Sequence, residues 1–511
     1  MVEFWCSLVL LVLLIFFSGS YFWLRKQYSY FEDHRIPYLS TSVWSPLGHL
    51  RQLLFLRISF ADLFRNIYAD PKLDDDAKVV GFFIFQTPAL MIRDPELIRL
   101  ILIKNFNSFL NRYEAAAGTD NDAMGSLTLP LAKYHNWRDS RQCMSTLFAS
   151  GPMKQRMYPL MLKVANDLED YLEKRVTVGG LTLPLSEMCQ LYTTDLTGTL
   201  FYSLDVGGLR SGHSQLRQIT KELFSPNIQK VFHFMAIFFL PTWTKVLGAK
   251  VFTEDYANFM KHLVKNPHLK HQGDLIDQLA KMKQNRPPTH YCQHEDFIAS
   301  QAGIILLAGF ETSSSLLAFT LYELAKQTNL QERLRHELHQ AFAPDFSYLS
   351  YETLVNLPYL KMVCLEALRL YPAAAFINRE CTVDSNQNGF SLKPHLDFVV
   401  PPGMPAYISI LGLQRDKKYW PEPDRFDPER FSSDSLANIL PMTYIPFGAG
   451  PHGCIGSRLG LLQLKMGLAH ILRLYRVETC DQTVSKIEFN AKTFMLEAKD
   501  EIYLRFVRDA P

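Results

Sequence analysis

The stretch that decides how this chain is read is Phe447-Gly448-Ala449-Gly450-Pro451-His452-Gly453-Cys454-Ile455-Gly456. It places one cysteine in a glycine-rich turn, with no second cysteine close enough in sequence to pair with it. An amphipathic, helix-like run follows over residues 457–474. Glycines let a backbone approach a ligand closely, and N–H groups beside a sulfur stabilise its negative charge. Such a turn can present a thiolate to something large and flat. Spacing alone also fits a buried structural cysteine.

With Phe447, Gly450, Cys454 and Gly456 in register, the stretch resembles the haem-ligating loop of the cytochrome P450 monooxygenases, whose pattern is Phe-x-x-Gly-x-Arg-x-Cys-x-Gly. The resemblance implies haem b with Cys454 as the axial thiolate, which pushes electron density towards O–O cleavage. One position departs from the pattern: His452 stands where the family usually has arginine. That arginine normally donates to a haem propionate, so its loss removes a fixed charge and a forked donor. Histidine occupies the equivalent place in the sterol-demethylase branch, but between arginines; here the neighbours are Pro451 and Gly453. The expectation is a looser hold on haem, pH-dependent if His452 titrates near neutrality.

Composition bounds the answer loosely. The chain has 511 residues, 48% hydrophobic and 20% charged, with a formal net charge of +2. That is ordinary for a globular protein with a large core, and near-neutral charge gives no electrostatic case for nucleic-acid binding. Length alone suggests about three domains. Residues of a single site, however, are scattered from Arg112 to Gly456, so a single catalytic domain over 51–511 is expected. The eight cysteines are dispersed, without a C-x-x-C pair or zinc spacing, which points to a reducing compartment.

The N-terminus speaks to location. Residues 4–24 are almost wholly apolar and long enough to span a bilayer, and Arg25-Lys26 follow. The basic flank belongs on the cytosolic side. A cleaved signal peptide would carry its positive charge before the apolar run. An uncleaved anchor over 1–25 is therefore expected, then a linker over 26–50 with a sparse proline hinge at Pro37 and Pro46. The resemblance implies a microsomal enzyme on the cytosolic face of the endoplasmic reticulum membrane. A second membrane contact is expected at residues 231–243, too short to span and broken by Pro241; a buried core helix is the competing reading.

The rest of the chain reads as mainly helical with small sheets. Amphipathic periodicity is clear over 151–174 and 253–265, and β-prone runs occur near 79–92, 398–400 and 501–506. Residues 265–294 read as surface loop around one short helix.

Four further motifs fit the same family. Ala308-Gly309-Phe310-Glu311-Thr312-Ser313 lies in an apolar helical stretch, where an acid and a hydroxyl are costly unless bonded or used. A helical threonine can simply bond back to the i−4 carbonyl. By resemblance, Gly309 lets the helix open beside haem, Thr312 helps deliver protons during oxygen activation, and Glu311 links to water. Glu366 and Arg369 form an i,i+3 pair in a run that resembles the family's K helix, with Arg430 as the third, structural member. Trp137 and Arg141 lie one helical turn apart and match the C helix, where both donate to a propionate. Arg112 and Arg379 resemble further propionate contacts. The wording of these motifs most resembles the insect microsomal, xenobiotic-metabolising branch.

The function so implied is insertion of one oxygen atom from O2 into a small lipophilic molecule. No nicotinamide or flavin fingerprint is evident, so electrons must come from a partner. The family's microsomal members use NADPH–cytochrome P450 reductase, sometimes aided by cytochrome b5, docked where Lys133 and Arg138 could meet an acidic surface. By resemblance the pocket is lined by residues 113–131, Ile304, Ile305, Ala308, residues 373–377, Phe494 and Met495. The rival readings are a reductase-independent isomerase or dehydratase of lipid peroxides, and a haem-binding protein with little turnover. The first tends to lose the acid–threonine pair, which this chain keeps.

Overall fold

A helix of 30 residues, Phe297–Lys326, forms the axis of the molecule. It is apolar on nearly every face, as a helix surrounded by protein must be. It packs against the helices Leu185–Tyr202, Glu254–Lys265 and Ser457–Leu472. By length and composition it could cross a membrane, but 67% of its most apolar window is buried within the fold, so here it is a core helix. The computed structural model describes residues 2–177, 179–224, 227–266, 271–342, 349–383 and 388–508.

The class is mainly α with small sheets, as the sequence predicts. A four-stranded sheet has the order Val79–Ile84, Thr87–Ile92, Pro405–Ser409, Phe376–Glu380. The first pair is an antiparallel hairpin with Val79 opposite Ile92, and the third strand joins it in parallel through Leu90 opposite Ala406. All six residues of the edge strand Val79–Ile84 are buried, because the chain before it covers that edge. Leu39 N–H donates to Gly81 O at 2.9 Å and Gly81 N–H to Pro37 O at 2.7 Å. A second sheet joins Leu181–Pro184, Tyr503–Arg508 and Tyr475–Glu478.

The N-terminal helix runs Val2–Tyr28, with Phe4, Trp5, Leu10, Leu11, Ile15, Phe22 and Trp23 exposed. Its last turn is built into the domain: Leu24 and Tyr28 are buried, and Tyr28 Oη donates to Ser45 O at 2.8 Å. Phe31, Ile36, Leu39 and Leu50 continue that packing across the segment read as a linker. Within 265–294 the structure forms the helix Leu275–Gln284, whose Leu275, Ile276, Leu279 and Met282 are buried. The helix Ile228–Phe239 buries Met235, Ala236, Ile237 and Phe239 and leaves Phe232 exposed, with Trp243 and Val246 exposed beyond it.

Candidate active site

Cys454 is held by a turn that glycine makes possible. Gly448 and Gly450 both have φ of +70°, where side-chain-bearing residues are strained. A Cβ on Gly450 would lie 2.0 Å from the carbonyl oxygen of Leu102. Cys454 N–H donates to Phe447 O at 2.8 Å and Gly453 N–H to Gly450 O at 2.9 Å, so the loop closes on itself just before the Ser457–Leu472 helix. Cys454 has exposed surface yet lies deep among protein atoms, so its side chain faces an internal space. Burial pushes its thiol up; the N–H of Gly456 and the guanidinium groups of Arg141 and Arg112 pull it back down.

Beside this loop the fold concentrates positive charge. Arg379 is buried on strand Phe376–Glu380, and its own burial together with Arg112 pushes its guanidinium down to about 9. Burial lowers Arg112 too, opposed by Glu114, whose Oε1 is 3.8 Å from Arg112 Nε. Arg141, on the helix Tyr134–Ser145, is lowered by burial and by Arg112, and its guanidinium makes no hydrogen bond or ion pair among the described residues. Arg379 Nε is buried without a partner. Arg112 and Arg379 thus share one carboxylate, Glu114, which also accepts from Asn378 Nδ2 at 2.6 Å, and Arg141 has none. Like charges gathered in a protein interior want an anion, and the two propionates of haem supply one. The donors present fit that group.

His452 takes a different part from the arginine it replaces. It is 7% exposed, and its Nε2–H donates to Leu110 O at 2.7 Å. Its ring packs on Trp137, centroids 3.9 Å apart, and on Phe106 at 5.3 Å. Nδ1 is buried without a partner. Burial, with Arg112 and Arg379 behind it, pushes the imidazole down to about 2. Burial thus disfavours the charged imidazole, and His452 serves here as a packing group and a donor to Leu110. Phe106 and Leu110 were not singled out from the sequence, because nothing local to them announces a partner more than three hundred residues away.

On the central helix, Thr312 Oγ1–H donates to Ala308 O at 2.6 Å, and the helix runs on without a break through Gly309. The glycine has a packing reason, since a Cβ there would sit 3.0 Å from Thr197 Oγ1. Glu311 is 5% exposed, and burial, with Glu497 nearby, pushes its carboxyl up to about 8. The chain therefore holds an acid with a strongly raised pKa one residue from the threonine.

The structural triad is in place. Arg369 Nε and Nη2 donate to the two oxygens of Glu366 at 2.7 and 2.8 Å, both residues being fully buried, and Arg430 Nε lies 3.5 Å from Glu366 Oε1. Asp427 N–H donates to the same oxygen at 2.8 Å. Of the expected pocket residues, Phe494 sits in an aromatic cluster with Phe238 at 4.2 Å, Phe376 at 5.4 Å and Phe60 at 5.7 Å. Phe60 and Phe238 were not read from the sequence as pocket residues. Lys133 lies 3.7 Å from Glu380 Oε2, with its side chain half exposed.

Residues 70–505 match the family model of cytochrome P450. The chain is 64% identical over 504 residues to the probable cytochrome P450 6t3 of Drosophila melanogaster, covering 98% of this chain and 100% of that protein. It is 38% identical over 516 residues to the probable cytochrome P450 6v1 of the same species, covering 97% and 98%. To cytochrome P450 6k1 of Blattella germanica it is 32% identical over 457 residues, covering 85% of each. The chain belongs to the cytochrome P450 family, in its insect family-6 branch. It is accordingly an oxidoreductase of the monooxygenase class, with haem as its cofactor and Cys454 as the axial thiolate.

Proposed function

We propose that this enzyme inserts one oxygen atom from O2 into small lipophilic molecules, among them xenobiotics, insecticides and endogenous lipids or hormones. Electrons come from NADPH through NADPH–cytochrome P450 reductase, with cytochrome b5 as an auxiliary donor. The observation that carries the reading is the pairing of the glycine-built Cys454 turn with the under-compensated arginine cluster.

Haem, when bound, supplies the redox chemistry that activates O2 for oxygen transfer. Cys454 would hold the haem iron through its thiolate, and Phe447 closes the turn that presents the sulfur. Arg112, Arg141, Arg379 and Trp137 would hold the propionates, and His452 keeps Trp137 and the segment at Leu110 in place. Thr312 would offer its hydroxyl for proton delivery to the oxygen chemistry at haem, with Glu311 beside it in the chain as the acid. Apolar lining, including Ile305 and Phe494, excludes water and favours a hydrophobic substrate.

The exposed apolar face of the Val2–Tyr28 helix supports an anchor in the endoplasmic reticulum membrane, catalytic domain to the cytosol. Exposed Phe232, Trp243 and Val246 support a second contact with lipid. The test is the reduced, CO-bound absorption spectrum in microsomes for the wild type and Cys454→Ser. A red-shifted Soret band lost in the variant supports thiolate ligation; no haem band in the wild type overturns it. Reductase-dependent NADPH consumption with lipophilic candidates then tests the electron route.

A further inference from the structure

The short turn Tyr291–Gln293, just before the central helix, is bound to one face of the helix Tyr134–Ser145. Asn136, Ser140 and Cys143 follow one another at helical spacing along that face. Tyr291 Oη–H donates to Asn136 O at 2.7 Å and lies 2.5 Å from the Ser140 hydroxyl. His290, at the head of the turn, reaches Asp139 on the same helix.

His290 stands between an acid and a thiol. Its Nε2 is 2.9 Å from Asp139 Oδ2, and its Nδ1 is 3.0 Å from Cys292 Sγ. Cys292 N–H also donates to Nδ1 at 3.3 Å, so Nδ1 is the acceptor and the ring proton sits on Nε2, donated to Asp139. An imidazole held in this way can take the proton of Cys292 Sγ. Among the described residues no group of three His, Cys, Asp or Glu side chains is arranged to hold a metal ion, so the cluster is not a metal site.

A second thiol stands beside this arrangement. Cys143 Sγ–H donates to Gln278 O, 3.9 Å away on the helix Leu275–Gln284. Burial raises both thiols. The charge of Cys292 raises Cys143 further, and Arg286 opposes the rise at each sulfur, so the two share one electrostatic neighbourhood. Cys143 is partly exposed and Cys292 is fully buried, so an oxidant arriving from solvent meets Cys143 first.

We propose that Cys143 and Cys292 form an oxidisable dithiol site that takes hydroperoxides, with His290, held by Asp139, as its base. Cys143 Sγ attacks one peroxide oxygen: an S–O bond forms, the O–O bond breaks and water leaves. The sulfur loses two electrons and the peroxide gains them. Cys292 Sγ then attacks Cys143 Sγ while His290 Nδ1 takes its proton. An S–S bond forms, the S–O bond breaks, and the proton departs with the hydroxide as a second water. Two thiols and one hydrogen peroxide thus give one disulfide and two waters. The link ties the helix that carries Trp137 and Arg141 to the turn before the central helix. In a reducing compartment such a disulfide is transient, as redox sensing requires.

The experiment treats the ferric holoenzyme with hydrogen peroxide, blocks the remaining thiols at intervals and maps the unreduced peptides by mass spectrometry. A linked Cys143–Cys292 peptide should accumulate, vanish on adding dithiothreitol, and be absent from Cys143→Ser. In Cys292→Ser, sulfenic acid at Cys143, trapped by dimedone, should persist several-fold longer than in wild type. His290→Gln and Asp139→Asn should each slow linkage several-fold; should His290→Gln fail to fold, Asp139→Asn carries this arm alone. Linkage at the wild-type rate in these variants overturns the assignment of the base. Stable sulfinic acid at Cys143 of the wild type without linkage overturns the site. So does the survival of both thiols at a peroxide concentration that oxidises Cys480, which is also partly exposed.

Discussion

The indole of Trp137 lies against the imidazole of His452, ring centroids 3.9 Å apart and planes tilted by 44°. The contact joins the Tyr134–Ser145 helix to the cysteine loop at the point where the family usually places an arginine. Through Nε2–H the same imidazole holds the carbonyl of Leu110, two residues before Arg112. One ring thus braces both the segment that leads to Arg112 and the helix that carries Trp137 and Arg141. His452→Ala removes a buried hydrogen bond and leaves a cavity, expected to cost about 2–3 kcal/mol. Haem per protein after gel filtration should fall. A variant that kept full haem content and thermal stability would show that the brace is dispensable.

The triad makes a sharper demand. Arg369→Ala would leave Glu366 fully buried with its bidentate partner gone, a change expected to cost about 3–5 kcal/mol. Arg430→Ala should cost less, since Arg430 stands 3.5 Å from the carboxylate while Arg369 grips both oxygens. Soluble, haem-loaded yield is the measurement. Equal losses from the two substitutions would contradict this ordering.

Two glycines on either side of Cys454 should respond oppositely. Gly450→Ala drives a Cβ to 2.0 Å from Leu102 O at a φ of +70°, so the loop must open and haem binding should fail. Gly460, inside the Ser457–Leu472 helix, has nothing within 4 Å of an added Cβ. Gly460→Ala should raise stability by about 0.5–1 kcal/mol through backbone entropy. Thermal melting of both holoproteins decides the matter.

What could be read from the sequence was what short spacing encodes. The cysteine turn, the Glu366–Arg369 pair and the Trp137–Arg141 turn each sit within a few residues, and the long apolar run gave the helix Phe297–Lys326. The hairpin over 79–92 was visible because β-prone residues run nearly unbroken through it. Strands Leu181–Pro184 and Phe376–Glu380 were not, being short and carrying polar residues or proline. Contacts across hundreds of residues were also illegible: Leu102 against Gly450, Leu110 with His452, Glu497 near Glu311. The departure at His452 was visible, but not its consequence, since burial and three arginines set its charge and neither is local.

Glu311 offers a test that needs no substrate. Its carboxyl is raised by burial and by Glu497 from an ordinary 4.5 to about 8. Between those values the folded protein keeps a proton that the unfolded chain has released. Stability contributed by this group is therefore present below pH 4.5 and is lost progressively as pH rises towards 8, by up to about 1.4 kcal/mol per pH unit. Glu311→Gln has similar shape and no charge at any pH, so it escapes that loss. The melting temperature of the variant relative to wild type should rise between pH 5.5 and pH 8. Other titrating groups are common to both proteins and cancel in the difference. A difference that stayed flat across this range would mean that Glu311 ionises in the folded protein as it does in water.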